Sequence, residues 1–425
     1  MSTAPADEHP SRTPWSAVLL GVLVLGILLA TCGVPGGGAD DPPRSPADPA
    51  RVAEPALAEL LGERSRALGG DDRDAWLATV GEDAAYRERQ GWVFDNLVQL
   101  PRAVARFELV DGSARTEGDE VVAEVRRVLQ VAGWDVVPVT TAAEYRFRLT
   151  TVAGGGAATT AYRVVADTEA SAPWDLAPVR VVVRGGALVV ADAADARADA
   201  LADDVEQAID DVASEVPLPW SARAMVYALS ATDVLRAVEG MPVDDPEQLD
   251  GVAFTVAAAP EDRTVAAVRV VLHPRLLTTD AGSPSRGRLL RHELTHVALG
   301  DRDDRVPTWL SEGVAELVSV RGMAMGERAI SRAAIDAAEA GVAGVAELPG
   351  DADFGGARSG ASYGLAWWAC EHVVRTWGED RLWSLLASYA ASPDEDRDAV
   401  LRRVLGVDGS ELAGAAGRRI VSVFG

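Results

Sequence analysis

The chain has 425 residues, enough for two folded units with cores of their own once a non-globular head is discounted. All 40 basic residues are arginine, and against 65 acidic residues they leave a net charge of −25, which repels nucleic acid and anionic membrane surfaces. Nucleic-acid binding is therefore disfavoured, and two cysteines, Cys32 in an apolar run and Cys370 in an expected helix, leave the folded part without an internal disulfide.

The first element in chain order is an uncharged run from Pro14 to Ala39 with the core WSAVLLGVLVLGILLATCG, preceded by Arg12 and followed by an acidic, Pro-rich stretch. The core is close to the length that spans a bilayer and longer than many signal-peptide cores. Three readings stay open: an uncleaved membrane anchor, a cleaved signal, and a lipoprotein signal, since LATCG resembles a lipobox with Cys32 as the lipidated residue. All three export the rest of the chain, and Arg12 on the near side keeps the N-terminus in the cytoplasm. The expected location is the cell membrane, single-pass or lipid-anchored, with the folded domains extracellular. Residues 1–33 form this segment and residues 34–50 a Gly- and Pro-rich tether.

Residues 51–192 read as a first domain. Leu57, Leu60, Leu61 and Leu68, then Trp76, Leu77 and Val80, recur at helical spacing around Gly69-Gly70, so two short helices are expected. After them come strand-like runs, RFELV, EVVAEVRRVLQV, YRFRLTTV, TAYRVVAD and VRVVVRGGALVVAD, separated by Gly or Asp turns. Helices followed by a multi-strand antiparallel sheet make an α+β unit. With its DDRDAWLATV segment, this order resembles the cone-shaped NTF2-like fold.

Residues 193–425 read as a second, mostly helical domain, opened by the amphipathic run AADARADALADDVEQAIDDVASEV. ARAMVYALS and VAAVRVVLHP are strand-like. Ser283 is then a suitable N-cap and Pro284 a suitable first residue for a helix that Gly300 closes. The next helix carries TWLSEGVAELVSV, and most of the remainder is helical in pattern.

The helix from Pro284 holds RHELTHVALG. His292 and His296 are i and i+4, so both imidazoles leave one face about one turn apart, where two nitrogens can take adjacent corners of a tetrahedron. Glu293, one residue round, sits beside such a metal, the place for a base acting on an activated water. A zinc site needs a third protein ligand. Glu312 follows His296 after 15 intervening residues and lies on the next helix. Glu316, i+4 from Glu312, can accept a hydrogen bond from the free ring nitrogen of a ligand histidine. Around the motif the helix is apolar, with Leu289, Leu290, Leu294, Val297, Ala298 and Leu299, and buried histidines and glutamate require a neutralising cation.

At these residues the chain resembles the zincin metallopeptidases, in their gluzincin branch, and HELTH followed by PTWLSEGVAEL is similar to the peptidase-MA-like proteins of bacteria. The resemblance implies Zn2+ at His292, His296 and Glu312, Glu293 as general base and acid, and a peptide or protein substrate. It also implies a cleft-edge strand that pairs with extended substrate, for which Val268–Leu272 is the expected segment, and an oxyanion donor, for which Tyr363 is chosen. His273 and His372 are expected to be structural, and Arg302–Arg305 a solvated loop. Two functions stand as expectations. The first is a membrane-anchored or exported zinc metallopeptidase; the alternative is a membrane-tethered ligand- or peptide-binding protein on a non-catalytic zincin-like scaffold.

Overall fold

The structure is a computed structural model that describes residues 49–425 apart from 155–156, 170–171, 232–249, 279 and 344–345. Its first part holds helices α1 (Pro49–Gly69), α2 (Arg73–Ala78) and α3 (Ala84–Leu97). They lie against strands β1 (Arg102–Leu109), β2 (Arg115–Glu117), β3 (Glu120–Val131), β4 (Val139–Gly154) and β5 (Ala157–Asp167). The strands pair antiparallel in the order β1-β3-β4-β5, with β2 on β3, as a half-barrel. Leu57, Leu61 and Leu68 of α1, spaced for one helical face, are buried in one core cluster with Ala123, Val125, Tyr145 and Phe147 of the sheet. Trp76 is fully buried with its ring 5.6 Å from both Phe94 and Phe107.

After a one-turn helix α4 (Pro173–Leu176), a second sheet forms from β6 (Val179–Arg184), β7 (Ala187–Asp192), β8 (Ala224–Ala228), β9 (Gly251–Ala259) and β10 (Asp262–Leu272). Its order is β6-β7-β8-β10-β9, with parallel pairing of β7 to β8 and β8 to β10 and antiparallel pairing at both edges. Helix α5 (Ala198–Glu215) joins the parallel pair β7 and β8, burying Leu201, Ala202, Val205, Ala208, Ile209 and Val212. The division expected at Asp192 therefore cuts through this sheet. The reason is visible in β7, where Ala187, Leu188, Val189, Val190 and Ala191 are all buried. A continuous apolar run marks a strand covered on both faces, not a half-exposed one. Ala187, Val189, Ala224, Val226 and Val270 face the helical half, while Leu188, Val190, Met225, Tyr227 and Val271 face the first sheet. The described residues from Pro49 onward form one compact unit.

The helical half continues with α6 (Pro274–Leu277), α7 (Pro284–Leu299), α8 (Thr308–Ser319), α9 (Arg332–Ala343), α10 (Ser359–Trp377), α11 (Glu379–Ala391), α12 (Arg397–Val404) and α13 (Gly409–Phe424). Helix α7 starts as expected, the Ser283 side chain accepting from the Arg286 N–H at 3.3 Å with Pro284 in the first turn, and ends at Gly300 with φ 59°. Helices α8 and α10 cross so closely at Gly313 that a β-carbon there would stand 2.5 Å from the Ala366 carbonyl oxygen. The protein is thus mixed α/β, with helices and sheets in both halves.

The expected membrane placement is corrected. Among the described residues no helix is long and apolar enough to cross a membrane. The Pro14–Ala39 run that carried the expectation, and Cys32 with it, lie outside them. Cys370 is buried and free.

Candidate metal centre

Helices α7 and α8 pack side by side and bring three side chains to one point. His292 Nε2 lies 3.2 Å and His296 Nε2 3.5 Å from Glu312 Oε2, and the two nitrogens are 3.3 Å apart. The i, i+4 spacing puts the imidazoles on one face, and the helix pair supplies the carboxylate. Among the described residues this is the one such group of His, Cys, Asp and Glu side chains with metal-ligating convergence. Tetrahedral zinc with bonds of about 2.0–2.1 Å holds its ligand atoms about 3.3–3.4 Å from one another. The donor triangle therefore has the right size. Glu312 Oε2 is also buried, with the two imidazole nitrogens beside it but no hydrogen bond of good geometry, an acceptor that a cation would satisfy. Residues and group fit.

The electrostatics agree. Burial resists ionisation of Glu312, yet the neighbouring imidazoles of His296 and His292 hold its carboxyl well below the usual range. Burial also opposes charging of the histidines, but Asp303 and Glu312 push His296 well above its ordinary value, and Glu312 and Glu316 push His292 up. This is a buried pocket of negative potential awaiting positive charge.

His296 is oriented from behind. His296 Nδ1 sits 3.0 and 3.1 Å from the two Asp303 carboxylate oxygens, and the Ser311 hydroxyl hydrogen-bonds Asp303 in turn. Donation from Nδ1 leaves the Nε2 lone pair facing the centre. The connecting segment is solvated as expected, with no residue of the 3-10 turn Gly300–Arg305 buried, yet the turn brings Asp303 back against His296 of α7. The only sequence signal is an acidic residue seven positions after His296. Glu316 stands behind His292, but at 3.7 Å from Nδ1, beyond hydrogen-bond length. Its other oxygen accepts from Arg288 Nη2 at 2.6 Å.

Glu293 is 5% exposed and faces β9. A β-carbon at Gly251 would stand 3.4 Å from its Cγ and Oε1, an ordinary contact that puts the Glu293 side chain directly against β9. Burial raises its carboxyl above the ordinary range, against the pull of His292, His296 and the Ala253 backbone. Tyr363, in the first turns of α10, has its ring 6.1 Å from that of His292 and 5.3 Å from Phe354. Burial, then the charges of Glu312, Glu293 and Glu316, push its phenol up and keep it protonated as a donor.

These groups line a cleft of 560 Å3 whose opposite wall includes Tyr389 and Arg397. The expected cleft-edge strand is corrected. Val268–Leu272 belongs to β10, which is flanked by β8 and β9, whereas the edge is β9, whose Gly251–Thr255 line the cleft. Sequence reasoning passes over GVAFTVAAA because its four alanines and its glycine carry little strand preference, although Thr255 and Ala257 are exposed as on an edge strand. His273 Nδ1 accepts from the Arg275 N–H at 3.2 Å and caps α6, and His372 packs on Trp377, so neither is at the centre. No protein-family model, no curated protein and no solved structure matches the chain.

Proposed function

We propose that the protein is a zinc-dependent metallopeptidase that hydrolyses peptide bonds. The observation that carries this reading is the donor triangle of His292, His296 and Glu312, with its orphan Glu312 oxygen, set beside the buried Glu293. The arrangement resembles a zincin: a motif helix under a mixed sheet with an antiparallel edge strand, and a helical half across the cleft. The first half resembles an NTF2-like cone. Bound zinc would supply Lewis acidity, making a water more acidic and polarising a carbonyl.

The chain's own residues do the rest. The edge β9 offers extended backbone along Gly251–Thr255 for an extended peptide to pair with. The Glu293 carboxylate takes a proton from the attacking water as the new C–O bond forms, then delivers it to the amine nitrogen as the C–N bond breaks. The Tyr363 phenol donates towards the oxygen on which negative charge develops. Asp303 holds His296 in the tautomer the site requires.

The test is metal analysis paired with cleavage of a peptide library. Glu293→Gln should retain about one zinc per chain and lose on the order of 10²–10⁴ in kcat, whereas His292→Ala should lose the zinc. Wild-type protein without stoichiometric zinc after reconstitution, or cleavage by Glu293→Gln at the wild-type rate, would overturn the reading.

A further inference from the structure

Helices α7 and α8 meet along a ladder of ionisable side chains. Arg288, His292 and His296 follow one another at four-residue steps on α7, and Glu312 and Glu316 stand one such step apart on α8. Glu312 is the rung between the two histidines, at 3.2 and 3.5 Å from their Nε2 atoms. Glu316 is the rung between Arg288 and His292, and there the sharing is unequal. Its Oε2 accepts from Arg288 Nη2 at 2.6 Å, while Oε1 stays 3.7 Å from His292 Nδ1. Arg288 is anchored from two further directions: Nη1 donates to the Ala329 carbonyl at 3.1 Å, and the guanidinium carbon lies 5.5 Å from the centre of the Trp367 ring. Both partners of the ion pair are largely withdrawn from solvent, so this charge-assisted bond outweighs an ordinary surface pair.

We propose that Arg288 is a positioning residue that lowers the affinity of the centre for zinc by keeping the Glu316 carboxylate out of hydrogen-bond reach of His292. The proposal rests on the zinc reading of the donor triangle and goes beyond it, because Arg288 touches none of the three donors. A carboxylate bonded to the free nitrogen of a ligand histidine fixes the ring and raises its basicity. His296 has that support, with Nδ1 at 3.0 and 3.1 Å from Asp303. His292 has its carboxylate in the right place but tethered. Shortening 3.7 Å to the about 2.9 Å of a hydrogen bond needs less than about 1 Å of movement, which the Arg288 bond opposes. The guanidinium also places a positive charge one residue away from a ligand, where it repels a bound cation. The two histidines are therefore unequal ligands, and the weaker one is set by a residue one helical turn before it. The opposite role, in which Arg288 steadies Glu316 for His292, predicts the opposite sign when the arginine is removed.

The test uses the full chain, stripped of metal and titrated with zinc in competition with a chromogenic chelator. Arg288→Met keeps an aliphatic stem over Trp367 and should bind zinc at least about tenfold more tightly than the wild type. With Glu316→Gln already in place, the same substitution should change the affinity by less than about threefold, because no carboxylate remains to be released. Arg288→Gln repeats the measurement should the methionine variant fold poorly, with circular dichroism of the metal-free proteins as the check on folding. Unchanged or weaker zinc binding in the folded Arg288 variants would overturn the proposal. Equal tightening with Glu or Gln at position 316 would overturn it as well, since Arg288 would then act by charge alone. A wild type that takes up no stoichiometric zinc removes the metal reading itself, whereas a zinc-binding wild type with no gain in the variants removes only this inference.

Discussion

The molecule buries charge in two places and handles it in opposite ways. Around Arg127 the first half closes a network on itself: every nitrogen of the guanidinium finds a carboxylate of Asp175 or Glu169. At the metal centre the second half brings two imidazoles and a carboxylate together, and an oxygen of Glu312 is left without a hydrogen bond of good geometry. A buried polar cluster that satisfies its own members serves to specify a fold. One that converges on a point and leaves an acceptor open is built for a guest. Burial and ionisable residues alone do not separate the two; the hydrogen-bond accounting does.

The contrast can be broken at either end. The largest effect is expected at the centre. Wild-type protein in free zinc about a thousand times above its Kd should lose about 4 kcal/mol of stability when the metal is chelated. Glu312→Gln should carry no stoichiometric zinc and show no such loss in chelator titrations followed by thermal unfolding. Equal chelator sensitivity in both proteins would mean that Glu312 is not a ligand. In the self-satisfied network the pattern reverses. Arg127→Met strands Asp175 and Glu169 in the interior and should cost about 3–5 kcal/mol in denaturant unfolding, with zinc content unchanged at temperatures where the variant is folded. A smaller effect should sharpen the comparison at the second histidine. Asp303→Asn keeps the shape behind His296 but removes the charge, and should weaken zinc about 10–100-fold in competition with a chromogenic chelator.

The sequence makes the candidate ligand set legible because its geometry is mostly local. His292 and His296 are placed by the pitch of one helix, and Glu312 needs only that the following helix pack beside it. Ser283, Pro284 and Gly300 mark the ends of that helix for the same reason. What tertiary structure alone decides is harder to see. Asp303 reaches His296 through a 3-10 turn that reverses the chain. The hairpin of β6 and β7 has a strand pattern that does not say which sheet it joins, and alternation along β7 is hidden because both of its faces are covered. Val268–Leu272 draws the edge assignment because it comes just before the motif helix. It lies between two neighbours in the sheet, while the edge falls to β9.

The shared sheet bears on how this protein can be divided. A fragment beginning at Ala193 would keep the complete donor triangle yet lack β6 and β7, two of the five strands beneath it. It would also lay bare Met225, Tyr227 and Val271, which the first half now covers. Such a fragment would have every candidate ligand and no stable floor to hold them. The proposed metal centre cannot be transplanted by its motif; it is inherited only together with the half of the molecule that contributes none of its donors.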